Sequence, residues 1–329
     1  MTSTPPSFAD IEAAAGRLAG HAVATPLLEA PLLNRRLGGR LLVKAECLQL
    51  TGSFKFRGAF NKISRLDEAA RGRGVIAYSS GNHAQGVAAA AHLVGAPAVI
   101  VMPQDAPAIK LANTRAWGAE VITYPRHGGN REAIAQEIAR TRGLTMVPPF
   151  DDPEIIAGQG TVGLEIARQT EALGVRPDRV VVCCGGGGLT AGTATALHEL
   201  LPQTTISTAE PEGWDDTRRS LETGSRQRVD APTPSVCDAL LAPTPGELTF
   251  AINRDLVSNG YAVSEREVGE AMALAQSFLK IVLEPGGAAA LAAVTGGQAA
   301  LDGGTAVVVA SGGNVDPALF CDLIARYGP

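Results

Sequence analysis

Residues 51–58 read TGSFKFRG, which places Lys55 between two phenylalanines in a segment that contains two glycines. The segment follows a predicted strand and opens a predicted helix at residues 56–65, with Thr51 and Ser53 as candidate caps. Aromatic packing removes water from the amine, which lowers the pKa of a lysine and makes it a nucleophile toward carbonyl groups. The alternative is a surface lysine whose aliphatic stem packs on the two rings.

The composition of the 329-residue chain is typical of an α/β protein with many tight turns. Hydrophobic residues make up 45% and aromatic residues only 4%, and there are 38 glycines. The net charge of -5 and the lack of a basic run argue against a nucleic-acid partner. No apolar stretch is long enough to span a bilayer, so we expect no membrane partner.

The first ten residues lack the basic start and the apolar core of a signal peptide. The five cysteines are scattered and form no CxxC pair of the kind that binds metals. Free thiols are typical of a reducing compartment, so a cytoplasmic location is expected.

The alternation of strands and helices predicts two units, each built on an open parallel sheet. Residues 74–149 form a small predicted domain that ends at two consecutive prolines, and residues 1–73 with 150–329 form a larger one. Two such sheets leave a cleft at the carboxyl ends of their strands. The predicted strands are residues 40–46, 75–79, 98–102, 120–124, 145–147, 179–184, 205–210 and 305–310. The predicted helices are residues 8–18, 56–65, 83–94, 108–117, 131–142, 161–172, 189–200, 267–279, 286–294 and 317–327.

Four consecutive glycines, residues 185–188, join an apolar strand to a helix. Backbone N–H groups crowd together in such a turn and the helix N-terminus adds positive potential, so the turn suits a phosphate group. A competing interpretation is a dinucleotide site, because Gly186, Gly188 and Ala191 fit its relaxed fingerprint and Glu210 lies where a ribose-binding acid is expected. A purely structural turn is the third interpretation.

Two further polar turns follow strands and reach the same predicted cleft. Residues 79–83, Ser-Ser-Gly-Asn-His, can hold a carboxylate with their N–H and hydroxyl groups, or Ser80 or Asn82 can cap the helix. Ser311 ends the last strand, and its neutral hydroxyl can bond a ring nitrogen without protonating it. Glu284 lies just before a helix start, where an acid is usually structural.

Taken together, residues 53–58, 80–83, 185–189 and 311–314 resemble the motifs of the pyridoxal-phosphate enzymes of the tryptophan-synthase-β type. Within that group, the sequence is most similar to the threonine/serine dehydratase and serine racemase family, over about residues 23–317. The resemblance implies an α/β fold with two open parallel-sheet domains and the pyridoxal-phosphate cleft between them. The resemblance favours a pyridoxal-phosphate site over the dinucleotide site at the glycine turn.

The resemblance also implies a role for each motif. Lys55 would carry pyridoxal 5'-phosphate as a Schiff base and remove the Cα proton, and Ser311 would face the pyridine nitrogen. The other implied cofactor contacts are Phe54, Asn82, Gly185, Gly186, Gly187, Gly188, Leu189 and Glu284. The implied substrate contacts are Ser80, Gly81, Asn82, His83 and Arg131.

These roles imply a lyase that dehydrates and deaminates L-threonine or L-serine to a 2-oxo acid and ammonia. Racemase-like members carry serine where many dehydratases carry alanine, so Ser80 is a candidate second proton carrier and a serine racemase is an alternative. Arg131 matches an arginine near the distal carboxylate in racemase-like members, which makes 3-hydroxyaspartate dehydratase another alternative; otherwise it is a surface arginine. A nicotinamide-binding oxidoreductase is the distant alternative.

The segment at residues 210–216 resembles the family's divalent-cation loop. Glu210, Asp216 and the backbone carbonyl of Trp214 are the implied ligands of Mg²⁺ or another divalent cation, with water completing the shell. A solvated acidic loop is the alternative. Two positions depart from the family pattern, because Cys183-Cys184 precede the glycines and Trp214 is bulkier than usual. The resemblance also implies a homodimer.

Overall fold

The structure, a computed structural model, describes residues 4–125 and 130–328. Its strands are β1 (Leu27–Glu29), β2 (Arg40–Lys44), β3 (Val75–Tyr78), β4 (Ala98–Pro103), β5 (Glu120–Tyr124), β6 (Thr145–Met146), β7 (Arg179–Cys183), β8 (Thr205–Pro211), β9 (Asn259–Val263) and β10 (Thr305–Val309). Its α-helices are α1 (Phe8–Leu18), α2 (Pro31–Leu37), α3 (Lys55–Ile63), α4 (Glu68–Arg73), α5 (Asn82–Val94), α6 (Ala108–Ala116), α7 (Arg131–Arg142), α8 (Pro153–Ala172), α9 (Gly188–Leu200), α10 (Asp216–Thr223), α11 (Glu247–Leu256), α12 (Glu265–Leu274), α13 (Pro285–Thr295) and α14 (Pro317–Tyr327).

The larger sheet has the strand order β1-β2-β10-β7-β8-β9. Its strands run parallel except β1, which pairs antiparallel with β2 at the edge. The central strands β7 and β10 are buried along almost their whole length, as expected of parallel strands covered on both faces. The largest hydrophobic core of the chain packs around this sheet.

The smaller sheet has the order β5-β4-β3-β6 and is parallel throughout. All four strands lie between Val75 and Met146, inside the predicted small domain, and the strands of the larger sheet lie outside it. The predicted α/β class with two parallel-sheet units is therefore confirmed. The residue boundaries of the two domains stay a prediction.

Helix α3, which begins at Lys55, packs very closely against α8. A β-carbon on Gly158 would lie 2.6 Å from the Cα of Gly58, so only glycine permits this approach. The loop before the helix is held by the end of β10, because the N–H of Phe54 donates to the carbonyl of Ser311 at 3.1 Å. These contacts fix Lys55 relative to both helix α8 and strand β10.

A cluster of four charged side chains, Arg57, Glu46, Glu165 and Lys44, lies beneath α3. The Arg57 guanidinium donates to both carboxylate oxygens of Glu46 at 2.8 Å and to those of Glu165 at 2.6 and 2.9 Å. Lys44 donates to Oε2 of Glu165, which also accepts a hydrogen bond from Arg57. The Glu46 and Lys44 side chains are fully buried and that of Arg57 is 1% exposed. The cluster therefore joins α3 to β2 and α8 with two cations paired to two anions.

Some local predictions are wrong. Neither Thr51 nor Ser53 caps α3; its N-cap is Phe54, without a side-chain hydrogen bond. Helix α8 begins at Pro153, not at residue 161, because the glycines in its first turns, which disfavour an isolated helix, permit close packing here. The elements that were not predicted are β1, α2, α4, α10, α11 and β9.

No helix within residues 4–125 and 130–328 combines the length and the apolar character needed to cross a membrane.

Candidate active site

The carboxyl ends of strands from both sheets surround one cleft, which holds about 950 Å³ of empty space including its open mouth. Strand β3 leads into it at Tyr78, β7 at Cys183 and β10 at Ser311. The predicted cofactor and substrate residues that line it are Phe54, Lys55, Ser80, Gly81, Asn82, His83, Arg131, Gly185, Gly186, Gly187, Gly188, Leu189 and Ser311. Motifs that lie far apart in the sequence therefore meet in one place.

Lys55 is the first residue of α3 and is half-buried. Its Nζ donates to the carbonyl of Pro149 at 2.6 Å and lies 5.1 Å from the centre of the Phe54 ring. Burial lowers the pKa of Lys55 to about 8, because the charged ammonium is disfavoured away from water. A larger share of Lys55 is therefore unprotonated near neutral pH than in an exposed lysine, as the sequence predicted.

The glycine turn leads directly into α9. Gly187 is the N-cap, has φ 92° and provides no side-chain cap, so the first N–H groups of the helix remain available to an anion. A β-carbon on Gly186 would overlap the ring of Phe150, which closes one side of the turn. The hydroxyl of Thr249 donates to the carbonyl of Gly186 at 2.7 Å and fixes the turn from behind.

Residues 79–83 form the turn between β3 and α5. The N-cap of α5 is Gly81, without a side-chain hydrogen bond, so the interpretation of Ser80 or Asn82 as a cap is wrong. The Oγ of Ser79 accepts the N–H of Gly81 at 3.1 Å and stabilises the turn. Ser80 is half-buried and lines the cleft.

His83 contacts the protein rather than the open cleft with one side of its ring. Its Nε2 bonds the carbonyl of Val147 at 2.9 Å, so Nε2 carries the proton. Burial lowers the pKa of His83 to about 3, and the nearby Lys55 acts in the same direction, so the ring is neutral. Among the described residues, Nδ1 is buried without a hydrogen-bond partner.

Glu284 lies behind the cleft rather than on its wall. Its Oε1 accepts a hydrogen bond from Nδ2 of Asn82, which does line the cleft. Its Oε2 accepts one from Lys110 at 3.1 Å. The sequence predicted Glu284 as a direct cofactor contact, whereas the structure places it behind Asn82 and outside the cleft lining.

Among the cleft residues that were not predicted as site residues are Tyr78, Lys110, Phe150, Cys183 and Asp238. Tyr78 lies next to a predicted residue, since its ring centre is 5.9 Å from the guanidinium carbon of Arg131. Tyr78 directly precedes the predicted turn at residues 79–83, and Phe150 directly follows the two consecutive prolines. The place of both residues in the cleft could therefore have been predicted from the sequence. Lys110 and Asp238 stand in no recognisable motif.

The predicted metal ligands Glu210 and Asp216 lie outside the cleft lining. The Glu210 carboxylate is fully buried and accepts the N–H groups of Thr217 at 2.9 Å and Arg218 at 2.7 Å. Glu210 is therefore not in the cleft, where the dinucleotide interpretation requires it, and that interpretation of Glu210 is wrong. Burial and the charge of Asp216 raise the pKa of Glu210 well above its usual value, and burial raises that of Asp216 to about 7.

Asp216 also has a free lone pair, because its buried Oδ2 has no hydrogen-bond partner in the described part of the chain. The backbone N–H of Trp214 donates to the carbonyl of Pro211, and its ring Nε1 donates to Thr233 at 2.8 Å. In residues 4–125 and 130–328, no three His, Cys, Asp or Glu side chains cluster as a metal site. The predicted cation site consists of only two carboxylates and one backbone carbonyl, so the absence of a cluster of three such side chains from the described residues does not test it.

A sequence model described as "Pyridoxal-phosphate dependent enzyme" matches residues 18–312. The chain belongs to this family. It is 42% identical to an L-threo-3-hydroxyaspartate ammonia-lyase of Pseudomonas sp over 318 residues, which cover 97% of this chain and 98% of the relative. A serine racemase of Schizosaccharomyces pombe is 38% identical over 321 residues, 98% of each protein. The crystal structure of a threonine deaminase from T.th. matches with a TM-score of 0.90 and 46% identity, covering 94% of this chain and 99% of that chain.

These comparisons confirm the resemblance that the motifs predicted. The fold is that of the tryptophan-synthase-β-like pyridoxal-phosphate enzymes, and enzymes of this family bind pyridoxal phosphate. The family also excludes the oxidoreductase alternative. The ammonia-lyases and the racemase among the relatives share the family, so the reaction has to be argued from the cleft.

Proposed function

We propose that this chain is a pyridoxal-phosphate-dependent ammonia-lyase that converts a β-hydroxy-amino acid into a 2-oxo acid and ammonia. The observation that carries the proposal is the shared cleft of Lys55, with its lowered pKa, and the uncapped glycine turn at α9. When bound, pyridoxal phosphate accepts the electron pair that is released when the Cα–H bond of an amino acid breaks.

The lining of the cleft fits this cofactor. The side-chain-free backbone of Gly185, Gly186, Gly187 and Gly188, with Leu189, would hold the phosphate at the helix N-terminus. Lys55 would bind the cofactor covalently, as the nucleophile with lowered pKa. Phe54 would pack on the ring, Ser311 would face its nitrogen and Asn82, supported by Glu284, would face its hydroxyl.

Two side chains would transfer protons in the proposed reaction. Lys55 would remove the Cα proton of the substrate, whose carboxylate would lie on residues 80–83 at the N-terminus of α5. Ser80 would be a second proton carrier. Its lack of a capping role supports this assignment, because the hydroxyl is not needed to stabilise α5.

Arg131 favours 3-hydroxyaspartate over L-threonine and L-serine as the preferred substrate. It is the first residue of α7 and lines the cleft, although it is otherwise exposed. A guanidinium there can pair with a second carboxylate of the substrate through charge-assisted hydrogen bonds. The name of the Pseudomonas relative, L-threo-3-hydroxyaspartate ammonia-lyase, supports the same substrate.

The proposal is tested by the release of 2-oxo acid from L-threo-3-hydroxyaspartate, L-threonine and L-serine by the wild type and by Arg131→Met. We expect kcat/KM for hydroxyaspartate to fall by roughly 100-fold in the variant, because one charge-assisted contact is lost, and kcat/KM for L-serine to stay within about threefold. Arg140→Met, on the exposed face of the same helix, is the matched control. Equal losses on all substrates would refute the role of Arg131, and a wild type that releases no 2-oxo acid would refute the function.

We further propose that Glu210, Asp216 and the backbone carbonyl of Trp214 bind a divalent cation. Burial raises the pKa of both carboxylates, the charge of Asp216 raises that of Glu210 further, and the free Oδ2 of Asp216 offers an acceptor. The Sγ of Cys184, the residue before the glycine turn, contacts the Thr217 hydroxyl at 3.4 Å. A cation at these ligands would therefore stabilise the loop behind the phosphate site.

Mg²⁺ or Ca²⁺ at about 100 times its Kd is expected to raise the Tm by about 4 °C, because binding to the folded state alone adds about 2.7 kcal/mol. A chelator should reverse the shift, and Glu210→Gln should abolish it. Glu222→Gln, on the exposed side of α10, is the control that keeps the response. An unchanged response in Glu210→Gln, measured by calorimetry, would rule out this site.

The homodimer and the cytoplasmic location stay predictions. Light scattering on the purified protein checks the homodimer.

A further inference from the structure

Lys110 is a second lysine in the cleft, and none of the proposed steps uses it. It lies on α6 and is only 2% exposed. Its Nζ donates to Oε2 of Glu284 at 3.1 Å and to the carboxylate of Asp238 at 2.9 and 3.2 Å. Burial lowers the pKa of Lys110, but the two carboxylates outweigh it and the net pKa is raised, so the side chain is a cation.

Glu284 connects Lys110 to Asn82. Its side chain is 1% exposed and presents one oxygen to each of these two residues. The Oδ1 of Asn82 in turn accepts a hydrogen bond from Asn314 at 2.9 Å. The Asn82 amide is therefore held at both ends, and its donor side is fixed by a carboxylate that Lys110 neutralises.

Two glycines of the cleft motifs leave room for this chain of contacts. A β-carbon on Gly312 would overlap Oε1 of Glu284, and one on Gly81 would lie 3.3 Å from Nζ of Lys110 and 3.0 Å from its Cδ. Both contacts are too close for an alanine without movement of the charged groups. The two motifs therefore leave space for the buried pair as well as forming the cleft wall.

We propose that Lys110 is a positioning residue that orients the Asn82 amide toward the cofactor through Glu284, an inference that rests on the proposed function. A buried carboxylate that loses its cation is strongly destabilised and takes up a proton. A protonated Glu284 accepts the hydrogen bond of Asn82 only as a neutral carbonyl, about half as strongly as a carboxylate does, so the Asn82 amide is held less firmly. Lys110 thus acts on the cofactor without touching it.

The test compares Lys110→Met, Glu284→Gln and the double variant by the Kd of pyridoxal phosphate on reconstitution and by the thermal unfolding of the cofactor-free protein. Lys110→Met alone is expected to weaken cofactor binding about tenfold or more, since it leaves a buried charge unpaired. In the Glu284→Gln background the same change is expected to matter less than about threefold, because the charge that connects Lys110 to Asn82 is already absent.

Two further variants sharpen the test. Lys110→Arg keeps the charge and is expected to bind the cofactor nearly as the wild type does. Lys62→Met breaks a lysine–carboxylate pair with Asp152 outside the cleft and is expected to leave the Kd within about twofold.

Three results would overturn the inference: an unchanged Kd in Lys110→Met, an equal loss with and without the Glu284 charge, or an arginine variant as weak as the methionine variant. A wild-type chain that does not bind pyridoxal phosphate would refute the proposed function. The inference about Lys110 would then be refuted as well.

Discussion

Lys55→Ala is expected to abolish the violet-edge absorption of the bound cofactor and to reduce turnover by about 10⁴-fold or more, since the covalent attachment and the base disappear together. The lysine lies in the cleft with a pKa lowered by burial, which suits both roles. Absorption spectra of the purified holoenzyme and 2-oxo acid release measure the two effects.

Lys62→Ala is the matched control for Lys55, because it removes a lysine from the same helix outside the cleft lining. It should keep the absorption band and most of the turnover. A Lys55→Ala protein that retained both would show that another group carries the cofactor.

Arg57→Met is expected to lower the free energy of unfolding by about 3–5 kcal/mol, the largest stability effect that we foresee. The substitution leaves the fully buried carboxylate of Glu46 without its bidentate partner and removes both contacts to Glu165. Urea unfolding, followed by far-UV circular dichroism, measures the change.

Arg266→Met, on the exposed face of α12, is the control and should change the free energy of unfolding by less than about 0.5 kcal/mol. A loss below about 1 kcal/mol for Arg57→Met would mean that Glu46 finds another partner or water. The cluster of charged side chains would then not be what stabilises α3 and the position of Lys55.

The helices and strands that could be predicted carry their own local signals. Helix α1 begins after Ser7, which forms a capping box with Asp10, and α14 begins at Pro317 after the capping Asp316. Helix α11 could not be found in this way. Its N-cap is Gly246, and its first N–H groups are accepted by Asp151, 97 residues away from Leu248.

The candidate site was predictable where a motif follows a strand, because parallel strands bring their carboxyl ends to the same edge. The position of Lys110 could not be derived in this way, since its partners Asp238 and Glu284 lie on segments outside the small unit. The capping interpretation of Ser80 failed for a local reason. The turn is stabilised by Ser79, and Gly81 occupies the N-cap.

The most direct test of the account is to measure ammonia and 2-oxo acid together from L-threo-3-hydroxyaspartate, L-threonine and L-serine, with the holoenzyme. We predict equal amounts of the two products, because loss of the hydroxyl as water and hydrolysis of the resulting imine give one ammonia and one 2-oxo acid per substrate molecule. We expect hydroxyaspartate to be turned over fastest. No 2-oxo acid from any of the three, or inverted amino acid in large excess over ammonia, would contradict the assignment as an ammonia-lyase.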